Sequence, residues 1–156
     1  MKKLIFLFAI AFITTSVVNA QTAIFKNGLY YSEEGKLFAG VCTTNFENGS
    51  KKLTFDVRDG KMNGLTTYYY DNGKAMETGS FINNEKDGEW LRWDEAGHKI
   101  AEAFYVSGKK NGNWLIWDSF GIKRYDMHYE MNAKIGTWLM WDEKGNLISE
   151  KTYNAL

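Results

Sequence analysis

Gly88-Glu89-Trp90-Leu91-Arg92-Trp93-Asp94-Glu95-Ala96-Gly97 decides how the rest of this 156-residue chain is read. Glu89 to Trp93 is a short aromatic run suited to a strand, and Asp94 to Gly97 closes it. An Asp followed three residues later by Gly suits a type I turn whose last residue takes positive φ, a hairpin with a bulge. The same pattern returns from Gly112 to Gly121 and from Gly136 to Gly145. Gly40, Gly64, Gly88, Gly112 and Gly136 stand 24 residues apart, and so do Gly49, Gly73, Gly97, Gly121 and Gly145. The aromatics keep step in three columns: Trp90, Trp114, Trp138; Tyr69, Trp93, Trp117, Trp141; and Phe81, Tyr105, Tyr129, Tyr153. A fixed period of this length marks a repeat array.

Each unit needs a second strand, and Ile100 to Tyr105 supplies it. It ends at a column held by Gly60, Asn84, Gly108 and Asn132, the two residue types that enter the left-handed region most cheaply. One unit is therefore two strands and two tight turns. Helix is disfavoured, because no segment between turn signals keeps apolar residues at i, i+3, i+4 and i+7. Composition agrees: Pro is absent, Gly occurs 15 times, and aromatics make up 16% of the chain. The expected fold is all-β, an elongated antiparallel meander of hairpin repeats. Roughly ten strands at ~4.8 Å spacing give a ribbon about 50 Å long.

Residues 1–20 read as a signal peptide. Lys2 and Lys3 precede the uncharged run Leu4 to Val18, which is shorter than the ~20 residues that cross a bilayer as a helix. Val18-Asn19-Ala20 offers the small-residue cleavage pattern, so the chain is expected to be exported, to the periplasm or beyond. Residues 21–39 read as a lead-in hairpin turning at Asn27-Gly28 and at Glu33-Glu34-Gly35. Residues 40–156 hold five repeats. The first is degenerate, with Cys42 and Asn45 in place of the aromatics, and the last is truncated after Tyr153.

The chain has 19 basic and 19 acidic side chains, and loss of Lys2 and Lys3 leaves a small acidic excess. That balance gives no electrostatic case for a nucleic-acid partner. The one cysteine, Cys42, excludes an intrachain disulfide framework and reads as a small half-buried residue. His98 and His128 occupy different columns, so no metal site is expected. Glu102, Asp126 and Glu150 form an acidic column, but equivalent strands lie about 10 Å apart, beyond the reach of paired carboxylates. No catalytic residue, cofactor or enzyme motif emerges.

Side-chain alternation puts Leu91 with Trp93, Leu115 with Trp117 and Leu139 with Trp141 on one face, the expected packed side. Trp90, Trp114 and Trp138 then stand on the other face, partly open, with Arg92 and Tyr68 sharing the column two residues on. These five residues are the candidate binding site, because a single sheet cannot hide both its faces.

The pattern Gly-x-Trp-x-x-Trp-Asp-x-x-Gly resembles the MORN-repeat-variant family. It is followed by a strand ending in an aromatic and by Asn/Gly-Lys-x-x-Gly, and Tyr105 to Trp114 is the clearest copy. The resemblance implies a non-enzymatic scaffold that binds a protein partner, membrane lipid or a second copy of the chain as a homo-dimer, and the open aromatic face of an exported chain adds a glycan surface of the envelope. It carries no active site. Bacterial members are often labelled antitoxins, and for an exported chain this implies an immunity-type partner of a secreted toxin. Choline- and glucan-binding repeats share short Trp/Tyr hairpins with Gly turns, and Ala75-Met76-Glu77-Thr78-Gly79 is similar to them. That similarity implies a cell-wall carbohydrate-binding module as the alternative.

Overall fold

Two kinds of tight turn, alternating along the chain, generate the architecture. The computed structural model describes residues 23–154, so the leader and its cleavage site after Ala20 lie outside the described residues. A short hairpin comes first, β1 (Ile24–Lys26) and β2 (Leu29–Tyr31), turning at Asn27-Gly28. The main sheet contains β3 (Gly40–Asn45), β4 (Lys51–Arg58), β5 (Lys61–Tyr69), β6 (Ala75–Ile82), β7 (Glu85–Trp93) and β8 (Lys99–Val106). It continues with β9 (Lys109–Lys110), β10 (Gly112–Trp117), β11 (Lys123–Glu130), β12 (Ala133–Trp141) and β13 (Leu147–Tyr153). Every pairing is antiparallel between chain neighbours, with β9 and β10 together filling one place beside β8. The fold is the expected all-β meander, an open eleven-stranded sheet.

The Asp-to-Gly turns have the expected geometry. The Gly97 N–H donates to the Asp94 carbonyl at 3.0 Å, and Gly97 has φ +98°. The Asp94 carboxylate accepts the N–H groups of Gly97 and His98 at 2.8 and 2.9 Å. These bonds, led by that from the His98 backbone, hold its pKa below the usual carboxylate value. Asn146 does the same for Asp142. The other turns are tighter. Asp59-Gly60, Asn83-Asn84, Ser107-Gly108 and Met131-Asn132 carry positive φ at both residues, the two-residue turn whose twist matches the strands it joins.

The N-terminal end of the ribbon holds the best-buried cluster. Phe38, Cys42, Phe55 and Val57 form it, with Tyr30, Leu53 and Met62 packed against them. The leading hairpin is tied down there: the Tyr30 N–H donates to the Gly60 carbonyl at 2.8 Å and the Gly60 N–H to that of Phe38 at 2.9 Å.

The expectation about the packed face is corrected. Trp90 is the most buried aromatic of the repeats at 2% exposure, and its face carries a continuous stack of rings. The reason lies on the neighbouring strands. Leu91, Leu115 and Leu139 do share a face, but Glu102, Asp126 and Glu150 stand between them across the ladder. Reading one strand at a time hides those carboxylates. The face opposite Trp90 is half acidic, and it is the Trp90 face that packs.

Candidate functional site

In the stacked face, rings from alternate strands interleave. Phe81, Trp90, Tyr105, Trp114, Tyr129, Trp138 and Tyr153 follow one another with centroid separations from 4.9 to 6.1 Å. Most pairs meet edge to face, the arrangement aromatic quadrupoles favour. Gly88, Gly112 and Gly136 stand opposite Tyr105, Tyr129 and Tyr153 in the ladder, two residues before each Trp.

A lysine tops each Trp. The Nζ atoms of Lys86, Lys110 and Lys134 lie 3.6, 4.4 and 4.6 Å from the ring centroids of Trp90, Trp114 and Trp138. Each also faces the next Tyr ring, Tyr105, Tyr129 or Tyr153, within 5.4 Å. These are cation–π distances, worth about 0.5–1 kcal/mol at exposed sites. The tight turns hold this lysine column in place. Asn132 accepts the Lys110 N–H through Oδ1 at 2.8 Å and returns its own N–H to the Lys110 carbonyl at 2.8 Å. Gly108 bonds the Lys86 carbonyl at 2.8 Å in the same way. Each turn therefore clasps the start of the strand two places back.

The sequence-derived candidates sort unequally. Trp90 lies over Gly79 and beside Ala103, buried, with an Nε1 that has no hydrogen-bond partner. Its ring is packing and offers no contact, which corrects its place among the binding candidates. Trp114 and Trp138 are half-buried and anchored, their Nε1–H groups donating to the carbonyls of Phe104 and His128 at 3.1 and 3.0 Å. Arg92 is exposed and stands opposite Glu77, which also opposes Tyr68. Burial, and less so Glu77, pushes the Tyr68 phenol pKa up. Tyr68 and Arg92 thus flank one carboxylate and lie in a row beside the Trp column.

Sequence reasoning missed the lysines. Lys86, Lys110 and Lys134 stand two residues before Gly88, Gly112 and Gly136, so the same period carried the signal.

Two carboxylates of the acidic column and both histidines have partners. Glu102 pairs with Lys99 at 2.8 Å, and Asp126 with Lys123 at 3.0 Å. His98 is bonded to Asp94 at 3.1 Å and His128 to Asn113 at 2.8 Å. Burial raises the Cys42 pKa, which disfavours a thiolate. Among the described residues no group of three His, Cys, Asp or Glu side chains is placed to hold a metal ion.

Comparison with known families agrees with this geometry. Residues 62–83, 86–107 and 134–155 match the model of the MORN repeat variant, so the hairpin unit is a repeat of that type. The first two matches begin 24 residues apart and the third twice that distance further on. The unit between them contains the break at Asn111 that divides β9 from β10. No curated protein matches the chain. Repeats of this type form binding modules for proteins or membranes.

Proposed function

We propose that this array of MORN-variant repeats is an exported, non-enzymatic scaffold that holds a protein partner or the envelope surface against its Lys-topped aromatic face. The observation that carries the reading is the half-exposed Trp114 and Trp138, each anchored through Nε1 and topped by a lysine. Anchored rings lose little side-chain entropy on binding, so contacts made there retain more of their free energy. Export is supported by the uncharged run Leu4 to Val18 behind Lys2 and Lys3.

The lysines weigh against carbohydrate stacking. Lys110 and Lys134 occupy the ring faces that a sugar would need, so the outermost group is an ammonium.

Co-sedimentation tests the proposal. The chain from residue 21 onward is mixed separately with liposomes, isolated cell wall and an envelope protein extract immobilised on beads. Retention by one of these surfaces, reduced about tenfold by Trp114→Ala/Trp138→Ala while circular dichroism keeps the β spectrum, is expected. A folded double variant that is retained as well as the parent chain overturns the reading.

A further inference from the structure

Directly opposed residues in an antiparallel sheet share a face, so the charged side chains can be sorted by side instead of by sequence. The pairs Arg92 with Ala101, Trp90 with Ala103, Tyr105 with Lys110, Tyr129 with Lys134 and Trp138 with Lys151 trace the aromatic face across the repeats. From β7 to β13, every charged side chain that this register puts on the aromatic face is a cation: Lys86, Arg92, Lys110, Lys134 and Lys151. The other face takes the carboxylates, Asp87, Glu89, Glu102, Asp126, Glu130 and Glu150 among them. A formal net charge of zero conceals two faces of opposite sign.

The cations are not equally available. Glu77 on β6 pairs with Lys86 at 3.1 Å and opposes Arg92. In the later units Glu77 is replaced by Ala101 and Tyr125, and no carboxylate of the described residues lies within 4.0 Å of the Lys110 or Lys134 Nζ. Lys110 and Lys134 thus stand unneutralised on an aromatic floor, and Lys151, 5.1 Å from the Tyr153 ring centroid, continues them at the edge strand.

Their separation narrows the ligand. Lys134 is level with Gly112 across the ladder, so the spacing is set by the rings the lysines top. Trp114 to Tyr129 is 5.4 Å and Tyr129 to Trp138 is 5.0 Å, and the Lys110 and Lys134 ammonium groups, each over an equivalent Trp–Tyr pair, stand about 10 Å apart. A polyproline II chain rises ~3.1 Å per residue with three residues per turn, so side chains i and i+3 point the same way about 9.3 Å apart. Aromatic-lined surfaces are also what such chains dock against. A flat membrane fits less well. An open sheet twists by about 20° per strand, so successive cations rotate out of any common plane, whereas a flexible chain can follow them.

We propose that the Lys110–Lys134 face binds an extended acidic segment of a protein partner, running along the ribbon with a carboxylate at every third residue. This rests on the reading of the aromatic face as the binding surface and adds the chemistry of the ligand. Each carboxylate meets one lysine, and the intervening residues lie against the Trp and Tyr rings. The spacing selects for acid at i and i+3, and the positive face speeds encounter at low salt.

The test is fluorescence anisotropy with the chain from residue 21 onward, which contains every described element. The probe is a labelled peptide repeating Pro-Pro-Glu. Saturable binding that weakens as salt rises is expected, with binding at least tenfold weaker for the same composition with its Glu residues in one block. Lys110→Gln/Lys134→Gln is expected to weaken binding more than tenfold, and Lys109→Gln, on the other face, to leave it unchanged. A melting curve for each variant establishes that it is folded. Equal binding of Pro-Pro-Gln and Pro-Pro-Glu repeats overturns the inference, as does a folded double lysine variant that binds normally. Binding to phosphatidylglycerol vesicles without binding to the peptide overturns it too, in favour of a lipid ligand. If no acidic peptide binds while Trp114→Ala/Trp138→Ala still abolishes co-sedimentation, the acidic-segment inference falls and the aromatic-face reading stands.

Discussion

Trp90, Trp114 and Trp138 occupy one column of the repeat yet differ in burial, and the difference comes from the residues beside them. Trp90 is flanked by Gly79 and Ala103, Trp114 by Ala103 and Met127, and Trp138 by Met127 and Lys151. The flanking column thus grows from no side chain to a long one along the ribbon, and the Trp rings are lifted as it does. Trp90 sinks so far that its Nε1 loses any partner, a cost of about 1–3 kcal/mol that burial of the large ring offsets. A Cβ added at Gly79 would collide with that ring. Gly79→Ala is therefore expected to destabilise the protein by about 1–3 kcal/mol, the usual cost of overpacking, read from urea denaturation followed by Trp fluorescence. An unchanged midpoint would mean that the ring can adopt the raised pose of Trp114 without loss. The column 79, 103, 127, 151 was as legible as the Trp column itself. Its meaning was not, because burial depends on two strands at once.

At the scale of elements, the turns were the most legible part of the sequence. Gly97 and its equivalents sit where a type I turn needs positive φ, and Gly60, Asn84, Gly108 and Asn132 adopt the left-handed conformation they were expected to. The residue before each of these also has positive φ, including Ser107 and Met131 at +46° and +47°, and no sequence rule for those side chains points to it. The fold imposes that conformation, since only a turn with both residues left-handed matches the strand twist. Met131 is the least suited, because a long side chain there adds strain of about 1–2 kcal/mol and is also 44% exposed. Met131→Asn is expected to stabilise the protein by about 1 kcal/mol, and scanning calorimetry should record a melting temperature a few degrees higher. No gain would mean that the Met131 side chain makes compensating contacts. Face assignment failed at this same scale. Register shifts at Arg92/Trp93, Ile116/Trp117 and Met140/Trp141 break the simple alternation, and the carboxylates come from the partner strand.

For the whole molecule, the sum of charges carried no information about their arrangement, which emerges only once the register is known. The same geometry makes the ribbon quasi-one-dimensional: each hairpin touches its neighbours, and β3 and β13 are open edges. Stability in such an array is a sum of unit and interface contributions, so damage at one end need not reach the other. The N-terminal end differs from the rest because the β1–β2 hairpin covers it and Phe38, at 2% exposure, fills the cluster with Cys42, Phe55 and Val57. Phe38→Ala should cost about 3–5 kcal/mol there, through lost burial and the cavity it leaves. Hydrogen exchange resolves where that cost falls. Amides of β3 and β4 are expected to exchange orders of magnitude faster in the variant, while those of β11 and β12 keep their protection. The Lys110–Lys134 surface would then remain assembled while the distant end frays. Uniform acceleration from β3 to β13 would show instead that the ribbon opens as one cooperative unit, with the N-terminal cluster holding the binding face together from a distance.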